Sequence, residues 1–302
     1  MSFVVTTEKL TKKYGDRAVV QDLDLRIPEG SVYGFLGPNG SGKSTTMKML
    51  LSLIRPTSGR AEVLGQEMTR ATRRQLLGQI GSLIESPPGY AHLTGGENMR
   101  IVQRLLGLTD QQVEVAVRMV RMQNQMDKKV REFSLGMKQR LGIAMALARQ
   151  PKLLILDEPT NGLDPAGIEE IRGLLKHLAD GGVTVMVSSH LLEEVDKTAT
   201  VLGILSQGRM IFQGTRDQLF SAATPDVLID SNDPSHAHSV LAGKFGTTLE
   251  NQSLIRLTGV DDETTARAVA ALVGARIGVY GVRREEQSLE DVFMSLTAGG
   301  GL

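Results

Sequence analysis

Gly37-Pro38-Asn39-Gly40-Ser41-Gly42-Lys43-Ser44 follows the apolar run Val32-Tyr33-Gly34-Phe35-Leu36 and precedes a segment of helical spacing, Thr45 to Leu53. The octet fits G-x-x-x-x-G-K-[ST], a loop that cradles nucleotide phosphates, and it lies between strand and helix as such a loop must. Its glycines let successive backbone N–H groups turn inward around a β-phosphate without side-chain clash. A helix opening near Ser44 adds its positive dipole end. Lys43 is expected to reach the β- and γ-phosphates of a nucleotide, with the Ser44 hydroxyl on Mg²⁺. The predicted nucleotide-binding stretch is Gly37, Pro38, Asn39, Gly40, Ser41, Gly42, Lys43, Ser44 and Thr45. With Gly at ~7% of residues, a chance match in a chain of this length is on the order of 1%.

A second chemical feature ends another apolar run. Leu153-Leu154-Ile155-Leu156 reads as a strand buried on both faces of a parallel sheet, and Asp157-Glu158 follows it. Ligands of open α/β sheets sit at the carboxyl ends of strands. Asp157 is therefore expected to hold Mg²⁺, directly or through water, and Glu158 to polarise the attacking water. Taken alone, the two acids fit the start of a solvated loop equally well; the phosphate loop is what favours the catalytic reading.

Outward from these motifs the chain changes texture. Phe3 to Thr6 and Val19 to Ile27 read as strands flanking a turn at Tyr14-Gly15-Asp16, a small antiparallel sheet. From about residue 90 to 150 helical stripes dominate: Met99, Val102, Leu105 and Leu106, then Val113, Val117 and Val120. Asp164-Pro165 opens a helix with an N-cap and Pro at its first position, Gly181-Gly182 closes it, and Val183 to Val187 is another buried strand. Alternation of this kind predicts an α/β core. After Phe220, Ser-Ala-Ala-Thr-Pro reads as a linker. Residues 221–302 then follow strand, helix, two strands, helix, strand, the order of a ferredoxin-like unit, with a last helix over Leu289 to Leu296 and a frayed Gly299-Gly300-Gly301. The expected domains are 1–220 and 221–302.

Composition narrows the function. The 302 residues hold 34 Lys plus Arg against 34 Asp plus Glu, so the basic excess of a nucleic-acid binder is missing. There is no cysteine, which removes disulfides and zinc-thiolate sites. No apolar run approaches the ~18–20 residues of a membrane span, and the first residues lack signal-peptide character. A soluble chain is expected, with any membrane crossing left to another protein.

Phosphate loop and acidic strand end are shared by many ATPases, GTPases and kinases. Phe133-Ser134-Leu135-Gly136-Met137-Lys138-Gln139-Arg140 separates them, because it resembles the signature of ABC ATPases. Physically, Ser134 reads as the N-cap of the helix Lys138 to Ala148, whose amides offer an anion site. The resemblance runs over residues 3–220. Asn161-Gly162-Leu163-Asp164 is similar to the D-loop, and Asp164 also suits an N-cap. Ser189-His190 is similar to the switch-histidine motif, and Tyr14 matches the aromatic that stacks on adenine.

This resemblance implies a P-loop NTPase core with a parallel sheet, an N-terminal antiparallel β subdomain and a helical subdomain insertion, followed by the small C-terminal α+β domain. It also implies that Ser134, Gly136 and Asp164 act on ATP held by a second copy or a homologous ATPase subunit. Glu158, His190 and Lys43 are the implied catalytic groups. Hydrolysis would drive transmembrane permease subunits, with the chain peripheral to the cytoplasmic face of the membrane and no nucleic acid involved. The alternative is a soluble ABC ATPase acting on ribosomes or DNA, which generally carries two cassettes or a long coiled coil.

Three positions depart from the family pattern. Leu135 and Met137 replace a glycine and a glutamine of the signature. Glu85, in Ile80-Gly81-Ser82-Leu83-Ile84-Glu85, stands where the family has a Gln ligand of Mg²⁺. Glu is a competent hard-oxygen ligand, so Ser44, Glu85 and Asp157 form the expected metal set. Glu85 with Leu93-Thr94-Gly95-Gly96-Glu97-Asn98 resembles the bacitracin-resistance and lantibiotic-immunity branch of exporters, and Ser288-Leu289-Glu290-Asp291-Val292-Phe293 is similar to endings in that group. The implied cargo is an antimicrobial peptide, an antibiotic or a lipid-like molecule.

Overall fold

The computed structural model describes residues 2–85, 87–190, 197–222, 226–250, 254–285 and 292. The expected helix over Leu289 to Leu296 and the glycine tail lie outside these, Val292 apart. The chain divides into two compact units between Arg216 and Asp217, ahead of the expected change at Phe220.

In the first unit, strands β1 (Phe3–Tyr14), β2 (Arg17–Leu23), β3 (Arg26–Pro28), β5 (Ser58–Val63) and β6 (Gln66–Glu67) form the antiparallel subdomain. β1 runs well past Thr6, where alternation fades, because β2 grips one edge and β5 the other. The expected Val19–Ile27 strand is broken near Asp24, whose carboxylate accepts the Lys9 N–H at 2.7 Å.

Among the described residues the central sheet has six strands. Its order is β11 (Arg209–Gly214), β10 (Val201–Ser206), β4 (Val32–Leu36), β9 (Thr184–Ser189), β8 (Leu153–Leu156), β7 (Ile80–Leu83). All neighbours are parallel except β10 and β11. Every residue of β4, β8 and β9 is buried, which is why these segments read as continuous apolar runs. The order brings the carboxyl ends of β4, β8 and β9 side by side.

Helix α1 (Lys43–Leu50) starts two residues earlier than expected because Gly42, at φ 107°, turns the loop directly into it. It ends earlier as well, at Leu50, two residues before Ser52 takes φ 53°. α2 (Arg73–Leu77) precedes β7. The helical insertion comprises α3 (Gly95–Leu106), α4 (Asp110–Met119) and α5 (Leu135–Leu147). Thr94 and Thr109 cap the first two through reciprocal bonds with Glu97 and Gln112, a box that satisfies two orphan donors each time. Met99, Val117 and Val120 are buried as the stripes require, but Leu105 is 78% exposed, since it lies off the Met99–Val102–Leu106 face. α6 (Pro165–Asp180) is capped by Asp164 and buries Ile171, Leu175 and Leu178.

Helix α7 (Arg216–Ala222) occupies ground read as the approach to a linker. In the second unit, β12 (Val227–Ser231), α8 (Pro234–Ala242), β13 (Thr247–Leu249), β14 (Leu254–Leu257), α9 (Asp262–Gly274) and β15 (Val279–Arg284) follow in turn. The sheet order is β13-β14-β12-β15 with every pair antiparallel, the ferredoxin-like arrangement. Val227, Ile229, Ile255 and Leu257 pack on Ala237, Leu241, Ala268 and Leu272 of the two helices.

Candidate active site

At the carboxyl end of β4 the chain enters the glycine loop. Gly42 is a position where only glycine fits: besides its left-handed backbone, a Cβ there would stand 2.8 Å from the Val19 carbonyl oxygen. The loop delivers Lys43 to the first turn of α1 with its side chain folded back. Its Nζ donates to the Gly37 carbonyl at 2.6 Å and lies 3.6 Å from Glu158 Oε1. Burial pushes the Lys43 ammonium below its ordinary pKa, and Glu158 and Asp157 partly pull it back. The Ser41 hydroxyl, in the middle of the loop, is buried and has no hydrogen-bond partner among the described residues, as suits a donor to a phosphate oxygen.

The two acids part company as soon as β8 ends. The Asp157 N–H donates to the Leu83 carbonyl at 2.8 Å, and its carboxylate, 4% exposed, stays between strands. Glu158 takes a left-handed backbone, φ 50°. Its carboxylate then stands between Lys43 and His190, with His190 Nδ1 2.7 Å from Oε2. These three side chains line one cleft of about 410 Å³ together with Asn39, Gly40, Gly42, Ser44 and Thr45. Sequence reasoning had placed all of these in the site. It had not assigned Val19 or Asn161, which also line the cleft. It also missed Ser188 of β9, whose hydroxyl contacts both acidic residues.

Other predicted residues lie elsewhere. Tyr14 is 54% exposed at the end of β1 and does not line the cleft; Lys12 Nζ stands 4.9 Å from its ring centroid. Glu85 is also outside the lining, paired with Lys48 of α1, one helical turn beyond Ser44. Ser134, Gly136 and Asp164 gather in a separate concavity of about 320 Å³ that shares no lining residue with the cleft. There the Ser134 hydroxyl accepts the Met137 N–H at 3.2 Å, capping α5, which begins at Leu135 rather than Lys138. Leu135, in place of a glycine, leans on Gly162, where a Cβ would come within 2.6 Å of its Cδ2.

A divalent ion finds few protein ligands here. Among the described residues no cluster of three or more His, Cys, Asp or Glu side chains exists. The donors near the loop are hard oxygens, the Ser44 hydroxyl and the Asp157 carboxylate, a set suited to Mg²⁺ held mainly by phosphate oxygens and water.

A model of the ABC transporter family matches residues 20–161, from β2 through both acids. The bacitracin transport ATP-binding protein BcrA of Enterococcus faecalis is 37% identical over 306 residues, covering 100% of this chain and 99% of the relative. The chain belongs to the ABC transporter ATP-binding family. The lantibiotic transport ATP-binding protein SrtF of Streptococcus pyogenes is 44% identical over 210 residues, 70% of this chain and 90% of that one. Among solved structures, cbiO1 from Clostridium perfringens, part of the ABC transporter complex cbiONQ, superposes with a TM-score of 0.67 at 28% identity, over 73% of this chain and 92% of that chain. As an ABC ATP-binding subunit the protein binds ATP and hydrolyses it for transport. The likeness to BcrA extends through the second unit.

Proposed function

We propose that the protein powers a separately encoded membrane permease exporting an antimicrobial peptide, an antibiotic or a lipid-like molecule, as one of two ATPase subunits that enclose ATP between them. The observation that carries this reading is the division of the machinery on one chain. Lys43, Glu158 and His190 share one cleft, whereas Ser134, Gly136 and Asp164 line another. A second copy facing the first brings each anion-binding helix end to the other's phosphate loop. The names of BcrA and SrtF support the class of cargo. Among the described residues no helix is long and apolar enough to cross a membrane. In this reading the permease makes the crossing and the subunit works at its cytoplasmic face.

In this scheme Tyr14 stacks on adenine and residues Gly37 to Thr45 wrap the phosphates. Lys43 exchanges the Gly37 carbonyl for β- and γ-phosphate oxygens, which restores the proton affinity that burial lowered. Glu158 orients and polarises the attacking water, and His190, bonded to it, contacts the γ-phosphate. Bound Mg²⁺ would neutralise developing phosphate charge, with Ser44, Asp157 and Glu85 as its protein oxygens. Glu85 must leave Lys48 to serve in this way. Glu85→Gln is therefore expected to raise the Mg²⁺ concentration for half-maximal turnover, and Lys48→Met to lower it, each by about threefold as befits an exposed ion pair. Mg²⁺ titrations of phosphate release check both signs; identical titration curves in all three proteins would remove Glu85 from the metal set.

The function itself is tested by isolating the native complex. A multi-spanning membrane protein should travel with this chain and raise its Mg²⁺-dependent phosphate release when cargo is added. Recovery with ribosomes or DNA, in a salt-sensitive manner, would favour the soluble alternative instead.

A further inference from the structure

Ser188 is fully buried in β9, two residues before His190. The three residues before it in the strand, Val185, Met186 and Val187, are apolar, while Ser189 after it is also buried, and serine contributes little to a strand buried on both faces. A hydroxyl at such a position costs free energy unless it is fully bonded. Here it is bonded twice. Its one proton goes to Asp157 Oδ1 at 2.6 Å, and its oxygen accepts the Glu158 N–H at 2.9 Å.

Both bonds fall where the sheet ladder stops. The last register pair between β8 and β9 is Leu156 with Val187. Beyond it Asp157 turns its N–H to Leu83 on the other side, and Glu158 enters its left-handed turn. The Glu158 N–H finds its acceptor in the Ser188 side chain, which takes the role a backbone carbonyl had one residue earlier. A non-glycine residue holds φ 50° only where its surroundings over-determine it. Ser188 is one such restraint, and the Glu158 carboxylate that meets Lys43 and His190 depends on that turn.

We infer that Ser188 is a positioning residue of the ATPase, a single hydroxyl that fixes the Asp157 carboxylate and the Glu158 backbone relative to the strand carrying His190. The inference rests on the roles proposed above for Asp157 and Glu158. It differs from them in naming what holds the two acids in register, so that Ser188 contributes to turnover without touching nucleotide.

The test uses the full chain carrying Ser188→Ala, Ser188→Cys or Ser188→Thr. Cysteine keeps a side chain of similar shape with a far weaker donor, and threonine keeps the hydroxyl. For Ala and Cys, kcat per folded molecule is expected to fall by about 10- to 100-fold, the range for residues that orient a site from behind. KM for ATP and the Kd of a fluorescent MgATP analogue should stay within about threefold, because the phosphate loop is untouched. Threonine should recover most of the loss. A kcat within about twofold of the parent for both Ala and Cys would overturn the inference, as would a loss that vanishes once thermal unfolding corrects for the folded fraction. If the parent itself lacked Mg²⁺-dependent turnover, the mechanism proposed for the cleft would fall instead.

Discussion

Glu158→Gln is expected to abolish turnover while leaving ATP bound. The substitution preserves shape, so the contact with His190, 2.7 Å away in the parent, can persist through the amide. What disappears is the negative charge to which we assign polarisation of the water and uptake of its proton, an effect worth roughly 10²- to 10⁴-fold. The cleft should still close on MgATP, so the variant accumulates as an ATP-bound pair that size-exclusion chromatography resolves from the monomer. A second consequence follows from Lys43. Burial already lowers its pKa and Glu158 opposes that shift, so removing the acid lets the nucleotide-free Lys43 lose its proton at a lower pH than in the parent. The alkaline limb of ATP binding should move to lower pH in the variant. Phosphate release within about twofold of the parent would remove Glu158 from the role of base.

Much of this candidate site is legible in the sequence, for reasons that differ residue by residue. The octet from Gly37 to Ser44 constrains its own backbone: Gly42 admits no side chain, and that local demand is written in the sequence. Leu153 to Leu156 announced a strand buried on both faces, and strand ends in such sheets face the ligand crevice. Ser134 was legible because an N-cap depends only on the next three residues. Ser188 was not, since its bonds to Asp157 and Glu158 cross 31 and 30 positions of chain and a serine in a strand carries no periodic signal. Val19 enters the cleft because β2 lies beside the glycine loop, a matter of tertiary packing. The full length of β1 escaped for the same reason, its polar half being held by neighbours on both edges rather than by its own alternation. Glu85 was found by position, but its bond to Lys48 depends on how the segment after β7 approaches α1.

The division of the machinery into two concavities yields the second large effect. Lys43→Ala removes the cation of the phosphate cleft, and Gly136→Asp puts a negative charge at the start of α5. That aspartate should not unfold the helix: acids favour helix N-termini, and a Cβ at Gly136 meets nothing closer than Leu163 Cδ2 at 3.4 Å. It should instead repel the triphosphate brought by a facing subunit. Each variant alone is expected to retain only a few per cent of parental phosphate release. Mixed in equal amounts they can form pairs in which one site combines the intact phosphate loop of the Gly136→Asp chain with the intact Ser134–Gly136 helix end of the Lys43→Ala chain. Random pairing makes half of the pairs mixed, each with one whole site of two, so activity should return to about a quarter of the parent's if sites act independently. A self-sufficient monomer predicts no recovery at any ratio, because each chain would carry its defect into its only site. The same mixing with Glu158→Gln in place of Lys43→Ala should also recover activity, since Glu158 and Lys43 lie in one cleft and are lost together. Pairing Lys43→Ala with Glu158→Gln should recover nothing, because a facing subunit then has no intact phosphate cleft to offer.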